Sequence, residues 1–213
     1  MAWANRGQPG QTERAIHLWQ DAQQKNASSA DLAIKLTKAC GRAMRHAETK
    51  AERQRWADLA KGYGAQAVAL APNQAETYTA YGEALAQWAR AHKGLHSLGS
   101  VRQAVEVLEK SIALNPHQPF AHMLLAEIYL HAPGRPISVG DKTKGLEQAK
   151  MGAAQPGAYA INHLVLARAY LDHGQKEEAK KELHVILQLK PPADAIPETQ
   201  ADQETAREMM RKL

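Results

Sequence analysis

The sequence predicts an all-α protein, a solenoid of antiparallel helix pairs with elongated hairpins and a C-terminal capping helix, and three observations carry that expectation. Hydrophobic residues make up 44% of the 213, yet only 5% are aromatic and Phe120 is the single phenylalanine. The apolar content is therefore alanine and aliphatic, a helix-forming palette. Second, a ladder of small and apolar residues at offsets of four and three, closed by a proline, recurs along the chain, and such offsets lie on one stripe of a helix. Third, a different pattern precedes each full ladder, so two kinds of helix alternate.

Taken in order, residues 1–10 are polar with Gly7, Pro9 and Gly10 and read as a flexible tail without a secretory apolar stretch. That fits a cytoplasmic chain, or a periplasmic one whose leader has been removed. Residues 11–197 carry the repeats. Ala15, Trp19 and Ala22 form a first, weak ladder, and Ala33, Leu36, Thr37 and Cys40 a degenerate copy of the other pattern. Ala60, Gly64, Ala67 and Pro72 form a full ladder, followed by Tyr78, Tyr81, Gly82 and Leu85. Ala104, Leu108, Ser111 and Pro116 repeat the ladder, followed by His122, Leu125, Ala126 and Tyr129. Gly145, Ala149 and Gly152, with Gly157 at the terminator, are a weaker copy, followed by His163, Leu166, Ala167 and Tyr170. Ala179, Leu183, Ile186 and Pro191 close the series, and residues 198–213, with Ala206, Met209, Met210 and Leu213 on one stripe, read as a capping helix over the last repeat.

The small residues Gly82, Ala126 and Ala167 stand where two antiparallel helices would approach most closely. With the ladders and their prolines, they make the chain resemble the tetratricopeptide-repeat family, whose helix A carries an aromatic or apolar pair and a Gly or Ala, and whose helix B carries Ala and an apolar residue before a terminating proline. That resemblance implies a right-handed superhelix. The segment Ala160–Ala193 has the family's repeat length, but the earlier ladders are spaced by 45, 44 and 41 residues before the final 34. The extra residues belong between helix A and helix B, with loop compositions at Lys93–Ser100 and Ala132–Asp141. Ser100 with Gln103, and Asn73 with Glu76, have capping-box spacing and predict helix starts just after them. The irregular hairpins and the Gly140-Asp141-Lys142 turn also resemble the soluble T-components of bacterial TRAP transporters and the regulator-of-microtubule-dynamics proteins.

Little in the sequence points to catalysis. The lone Cys40 has no partner for a disulfide, and no Cys pair, HExxH or carboxylate cluster completes a metal site around the ten histidines. His122 and His163 occupy the aromatic slot of the repeat and read as packing residues. Gly134–Thr143 imitates a phosphate loop poorly, because Asp141 stands where lysine should and Pro136 removes a donor. The net charge of +5 is dispersed among acidic residues, so no nucleic acid is expected as partner, and no cofactor or membrane span is predicted.

The expected function is therefore that of a protein-interaction scaffold, binding a protein or peptide or its own copy in a homo-oligomer. A soluble small-molecule or lipid carrier of a bacterial uptake system is the alternative. The family's groove positions fall on Lys38 and Arg42, Thr79 and Glu83, Phe120, Met123, Glu127 and Leu130, and Ile161, Leu164, Arg168 and Leu171. The apolar members of this set predict either an exposed groove or a surface covered by residues 198–213. Glu83 and Glu127 would repel a terminal carboxylate, so a carboxylate clamp for acidic chaperone tails is not expected.

Overall fold

The computed structural model describes residues 2–213, and those residues form ten α-helices with no strand among them. The chain divides into two compact units, Met1–Pro116 and His117–Leu213.

The first unit contains a 3-10 turn, Trp3–Asn5, and helices α1 (Gln11–Lys25), α2 (Ala30–His46), α3 (Lys50–Leu70), α4 (Ala75–His92) and α5 (Leu95–Leu114). Helices α2/α3 and α4/α5 pair as hairpins, α3 packs on α4, and α2 lies beside α4. The starts of α2 and α3 are chemically marked. Ser29 Oγ accepts from Leu32 N at 3.2 Å, while Thr49 and Glu52 bond to each other's backbone N–H, which satisfies two donors at the head of α3. Pro72 and Pro116 follow the ends of α3 and α5 closely, where a helix can no longer use their missing N–H. Gly82 lets the hairpin close: a Cβ there would lie 2.5 Å from Leu108 Cγ. The core holds Ile16, Leu36, Ala39, Cys40, Ala60 and Ala84, with Trp3, Trp19, Trp56 and Tyr63 packed on it.

Two segments of this unit differ in part from expectation. Within the N-terminal segment read as a flexible tail, Trp3 and Arg6 are docked, while residues 7–10 are exposed. Trp3 packs against Trp19 with centroids 5.4 Å apart, and Arg6 is buried with its guanidinium 4.7 Å from the Trp3 ring. Two tryptophans supply apolar area that the surrounding Gly and Pro disguise. The expected loop Lys93–Ser100 is mostly helix, since α5 begins at Leu95 and Ser100 is a buried helical residue rather than a cap. Gly99 is tolerated within α5 on an open face.

The second unit contains α6 (Pro119–His131), α7 (Lys142–Ala153), α8 (Ala160–Asp172), α9 (Lys176–Gln188) and α10 (Ile196–Arg211). Helices α6/α7 and α8/α9 pair, α7 packs on α8, and α10 packs on α9 and α8. The stretch between α6 and α7 is a true loop, held by Gly140 N to Pro133 O at 2.9 Å and Asp141 N to Tyr129 O at 2.8 Å. Asp141 then caps α7 by accepting from Lys144 N at 3.1 Å. At Gly145 a Cβ would meet Leu130 Cγ at 2.7 Å, the counterpart of the Gly82 contact. Helix α10 starts two residues ahead of the expected capping segment, and Gln203 donates to the carbonyls of Ile186 (3.2 Å) and Leu189 (2.9 Å) at the end of α9.

Candidate interaction surface

In the first unit, α2 and α4 are the two A helices, side by side. Their facing residues are polar and already paired. Lys38 Nζ donates to Glu76 Oε1 at 2.6 Å, and Glu83 Oε1 accepts from Arg45 Nη1 at 3.3 Å and from Gln87 Nε2 at 2.8 Å. Lys38, Lys35 and Asp31 are exposed, and Glu76 and Glu83 half-buried. Two positions expected on the groove are instead interior. Arg42 is buried, its Nε and Nη2 donating to the Arg6 carbonyl at 3.3 and 3.2 Å, so the docked N-terminal segment covers it. Thr79 is buried with its hydroxyl 2.7 Å from that of Ser111 on α5.

In the second unit three of the six apolar groove positions, Met123, Leu130 and Leu164, turn inward. Leu164 is 2% exposed and belongs to the same buried cluster as Leu183, Ile186 and Ala206 of α10. Ile161 and Leu171 are half-buried against that cluster, together with Met209, Met210 and Leu213. Of the two readings of these residues, coverage by the C-terminal helix is the one that matches the packing of the α8 set. Met123 is 4% exposed, and Leu130 fills the space opposite Gly145. Phe120 stays half-buried, edge-on to Tyr159 at 6.1 Å, whose hydroxyl donates to Asp194 at 3.1 Å. Glu127 and Arg168 are half-buried. Of the apolar positions expected to line a groove, Met123 and Leu164 lie in the core, while Phe120, Ile161 and Leu171 keep partial exposure. An open depression at the α8–α9 turn is lined by Lys150, Tyr170, Lys176, Glu177 and Glu178 among others.

Three further residues organise these faces. Gln87 is buried with its amide against Gly41, where a Cβ would lie 2.4 Å from Gln87 Oε1, so the glycine on α2 is the visible signal of that close approach. Arg6 was hidden in the segment read as a tail. Asp202 on α10 is pushed up to about 6 by burial and by the charge of Glu198, with the Arg168 guanidinium opposing the shift.

The remaining polar groups knit helices together. His122 Nδ1 lies 2.8 Å from Gln148 Oε1, and His163 Nδ1 lies 2.7 Å from Glu182 Oε2, each linking an A helix to its own B helix. His92 stacks on Trp88 at 4.2 Å and sits 3.3 Å from Asp58. Among the described residues no three of His, Cys, Asp and Glu converge as a metal-binding group. Burial pushes the Cys40 thiol up to about 12, which keeps it protonated and unreactive near neutrality. No helix among the described residues is long and apolar enough to cross a membrane.

The family described as regulator of microtubule dynamics protein 1-3 matches residues 4–127. Of the two narrower likenesses read from the sequence, this is the one that matches. No curated protein sequence matches the chain. Among solved structures, TTC0263, a thermophilic tetratricopeptide-repeat protein of Thermus thermophilus, superposes with a TM-score of 0.70 at 20% identity, covering 93% of this chain and 91% of its own. A structure of MamA superposes with a TM-score of 0.52 at 17% identity, covering 96% of this chain and 93% of its own. A second MamA structure reaches 0.51 at 19% identity, over 84% and 82%. At these identities the likeness defines the fold, an all-α solenoid of the tetratricopeptide-repeat kind.

Proposed function

The chain belongs to the regulator of microtubule dynamics protein 1-3 family, and from that premise we propose that it acts as a protein-interaction scaffold whose A-helix faces receive a protein or peptide partner. Its work is recognition, not turnover. The observation that carries this reading is the strip across α2 and α4, where Lys35, Lys38 and Arg45 alternate with Asp31, Glu76 and Glu83 on two adjacent helices, accessible and charged in both signs. Such a strip can exchange its internal ion pairs for pairs with a partner at small net cost, because exposed pairs stabilise the free protein by only about 0–1 kcal/mol each. In the second unit, half-exposed Phe120, Glu127, Ile161, Arg168 and Leu171 support a smaller contribution, with Phe120 as the aromatic anchor.

Site-specific photo-crosslinking tests the assignment even while the partner is unidentified. A benzophenone amino acid in place of Lys38, Glu76 or Phe120 is expected to give discrete adducts in native extract, while the same group in place of Lys110 on α5 or Glu147 on α7 gives none. Equal adduct yields from the A-helix and B-helix positions contradict the proposal.

A further inference from the structure

The hairpins of the first unit end in a feature that the scaffold reading does not use. Helices α2 and α4 run toward the same end as the heads of α3 and α5. Gln54 Nε2 donates to Ala91 O at 3.3 Å, Trp88 Nε1 donates to Asp58 Oδ1 at 2.7 Å, and His96 meets the Trp88 ring edge-on at 5.9 Å. The turns at residues 47–49 and 93–94 therefore lie at one end of the unit. Between residues 45–55 and 90–96 that end holds six Lys or Arg and two Asp or Glu, a net +4 with histidine neutral, against +5 for the whole chain. From the second turn projects Leu95, 86% exposed, the most exposed of the large hydrophobic residues described, with Lys93 and His96 beside it.

A leucine so exposed gains nothing in water, and the turns around it carry a net positive charge despite Glu48 and Glu52. We propose that this end docks on an anionic lipid surface, with Leu95 entering the interfacial region and Lys50 and Lys93 facing the headgroups. Arg45 and Arg53 are partly committed within the protein, Arg45 to Glu83 and Arg53 to the carbonyls of Ala47 and Glu48 at 3.0 and 3.2 Å, so the two lysines at the turns carry the contact. A fluid bilayer fits this geometry because a projecting side chain needs no preformed pocket there. A folded protein partner would have to supply an apolar socket with an acidic rim. The contact is reversible and salt-sensitive, because one leucine buries little area and the attraction acts within a Debye length. Lys50, Lys93 and Leu95, which carry the contact, lie outside α2 and α4, so its failure leaves the scaffold reading untouched.

Co-sedimentation of the full chain with vesicles tests the proposal at about 0.1 M salt, where surface charges are screened beyond about 10 Å. Vesicles of phosphatidylcholine with about 30 mol % phosphatidylserine, which carry the negative surface potential of an anionic leaflet, should bind the protein, and pure phosphatidylcholine should not. Lys93→Glu is expected to weaken binding about tenfold and Leu95→Asp by a similar factor, since the first reverses a headgroup contact and the second removes the apolar insertion. Lys110→Glu, which makes the same change in net charge at a distant site on α5, should have little effect. Circular dichroism of all three variants should match the parent, as each site is exposed. The proposal is overturned by equal binding to both vesicle types, by no binding to the anionic ones, by Lys110→Glu matching Lys93→Glu, or by an inert Leu95→Asp. Leu95-dependent binding to polyglutamate with no binding to vesicles also overturns it, by assigning the surface to an acidic polypeptide.

Discussion

Helices α2 to α5 of the first unit run 17, 21, 18 and 20 residues, whereas α6 to α9 of the second run 13, 12, 13 and 13. The first unit has fifteen Lys or Arg against ten Asp or Glu, and the second has twelve of each. Equivalent repeat positions nonetheless share their fates: Ile34, Thr79, Met123 and Leu164 are all buried, whereas Lys38, Glu83, Glu127 and Arg168 all keep some exposure. In the long hairpins the exposed set pairs across α2 and α4, Lys38 with Glu76 and Arg45 with Glu83. In the short ones α10 packs over α8 and α9. A repeat signature specifies which residues face the partner helix within a pair. What the opposite side meets depends on the neighbouring elements, here the N-terminal segment in one unit and the C-terminal helix in the other.

The sharpest break of this comparison is a buried charge. Leu164→Asp should destabilise the protein by about 3–5 kcal/mol, since an unpaired carboxylate replaces a leucine in a closed cluster, and urea denaturation followed by circular dichroism reads it. A loss below about 1 kcal/mol would mean that the α8 face is open, as an exposed surface substitution costs no more than that. Next come the two close approaches. Gly82→Ala and Gly145→Ala should each cost about 1–3 kcal/mol by forcing Leu108 and Leu130 aside, in one unit and the other alike. If only one variant loses stability, the two hairpins do not share a packing plan.

A smaller effect concerns pH. Asp202 holds its proton more tightly folded than unfolded, so between about pH 4 and pH 6 the folded state binds more protons, and this group's contribution to stability falls as pH rises through that window. Asp202→Asn should therefore stabilise the docking of α10 at pH 7.5 and have little effect at pH 4. With the site partly open to solvent, the gain should be about 1 kcal/mol. Thermal melts at the two pH values check the sign, and a variant less stable at pH 7.5 would reverse it. Smallest is Lys38→Ala, which removes an exposed ion pair to Glu76 and should cost under about 1 kcal/mol. A larger loss would show that the strip on α2 and α4 is structural and unsuited to exchanging partners.

Much of the fold was legible because the ladder spacing is itself helix geometry. Ala60, Ala104, Leu108, Ala179, Leu183 and Ile186, picked out by offsets of four and three, are all fully buried. The site was less legible for a reason that the same helices explain. In α6, nine of thirteen residues are buried, and in α8, seven of thirteen, so these helices are apolar nearly all the way round and no stripe separates core from groove. The start of α5 was obscured because Gly94, Ser97, Gly99 and Ser100 have loop chemistry, although only Gly94 lies outside the helix. The docked N-terminal segment was obscured because its anchor is a pair of tryptophans rather than a periodic pattern.

The claim that the A helices of both units keep one groove position open, that of Lys38, and bury the other, that of Met123 and Leu164, is tested most directly by thiol labelling. Cys40, buried and held protonated, supplies a silent background. Cysteine in place of Lys38 should react with a maleimide at the rate of an exposed thiol. Cysteine in place of Met123 or Leu164 should react slower by orders of magnitude and only through opening of the fold. Fast labelling at positions 123 and 164, or protection at position 38, would contradict the account.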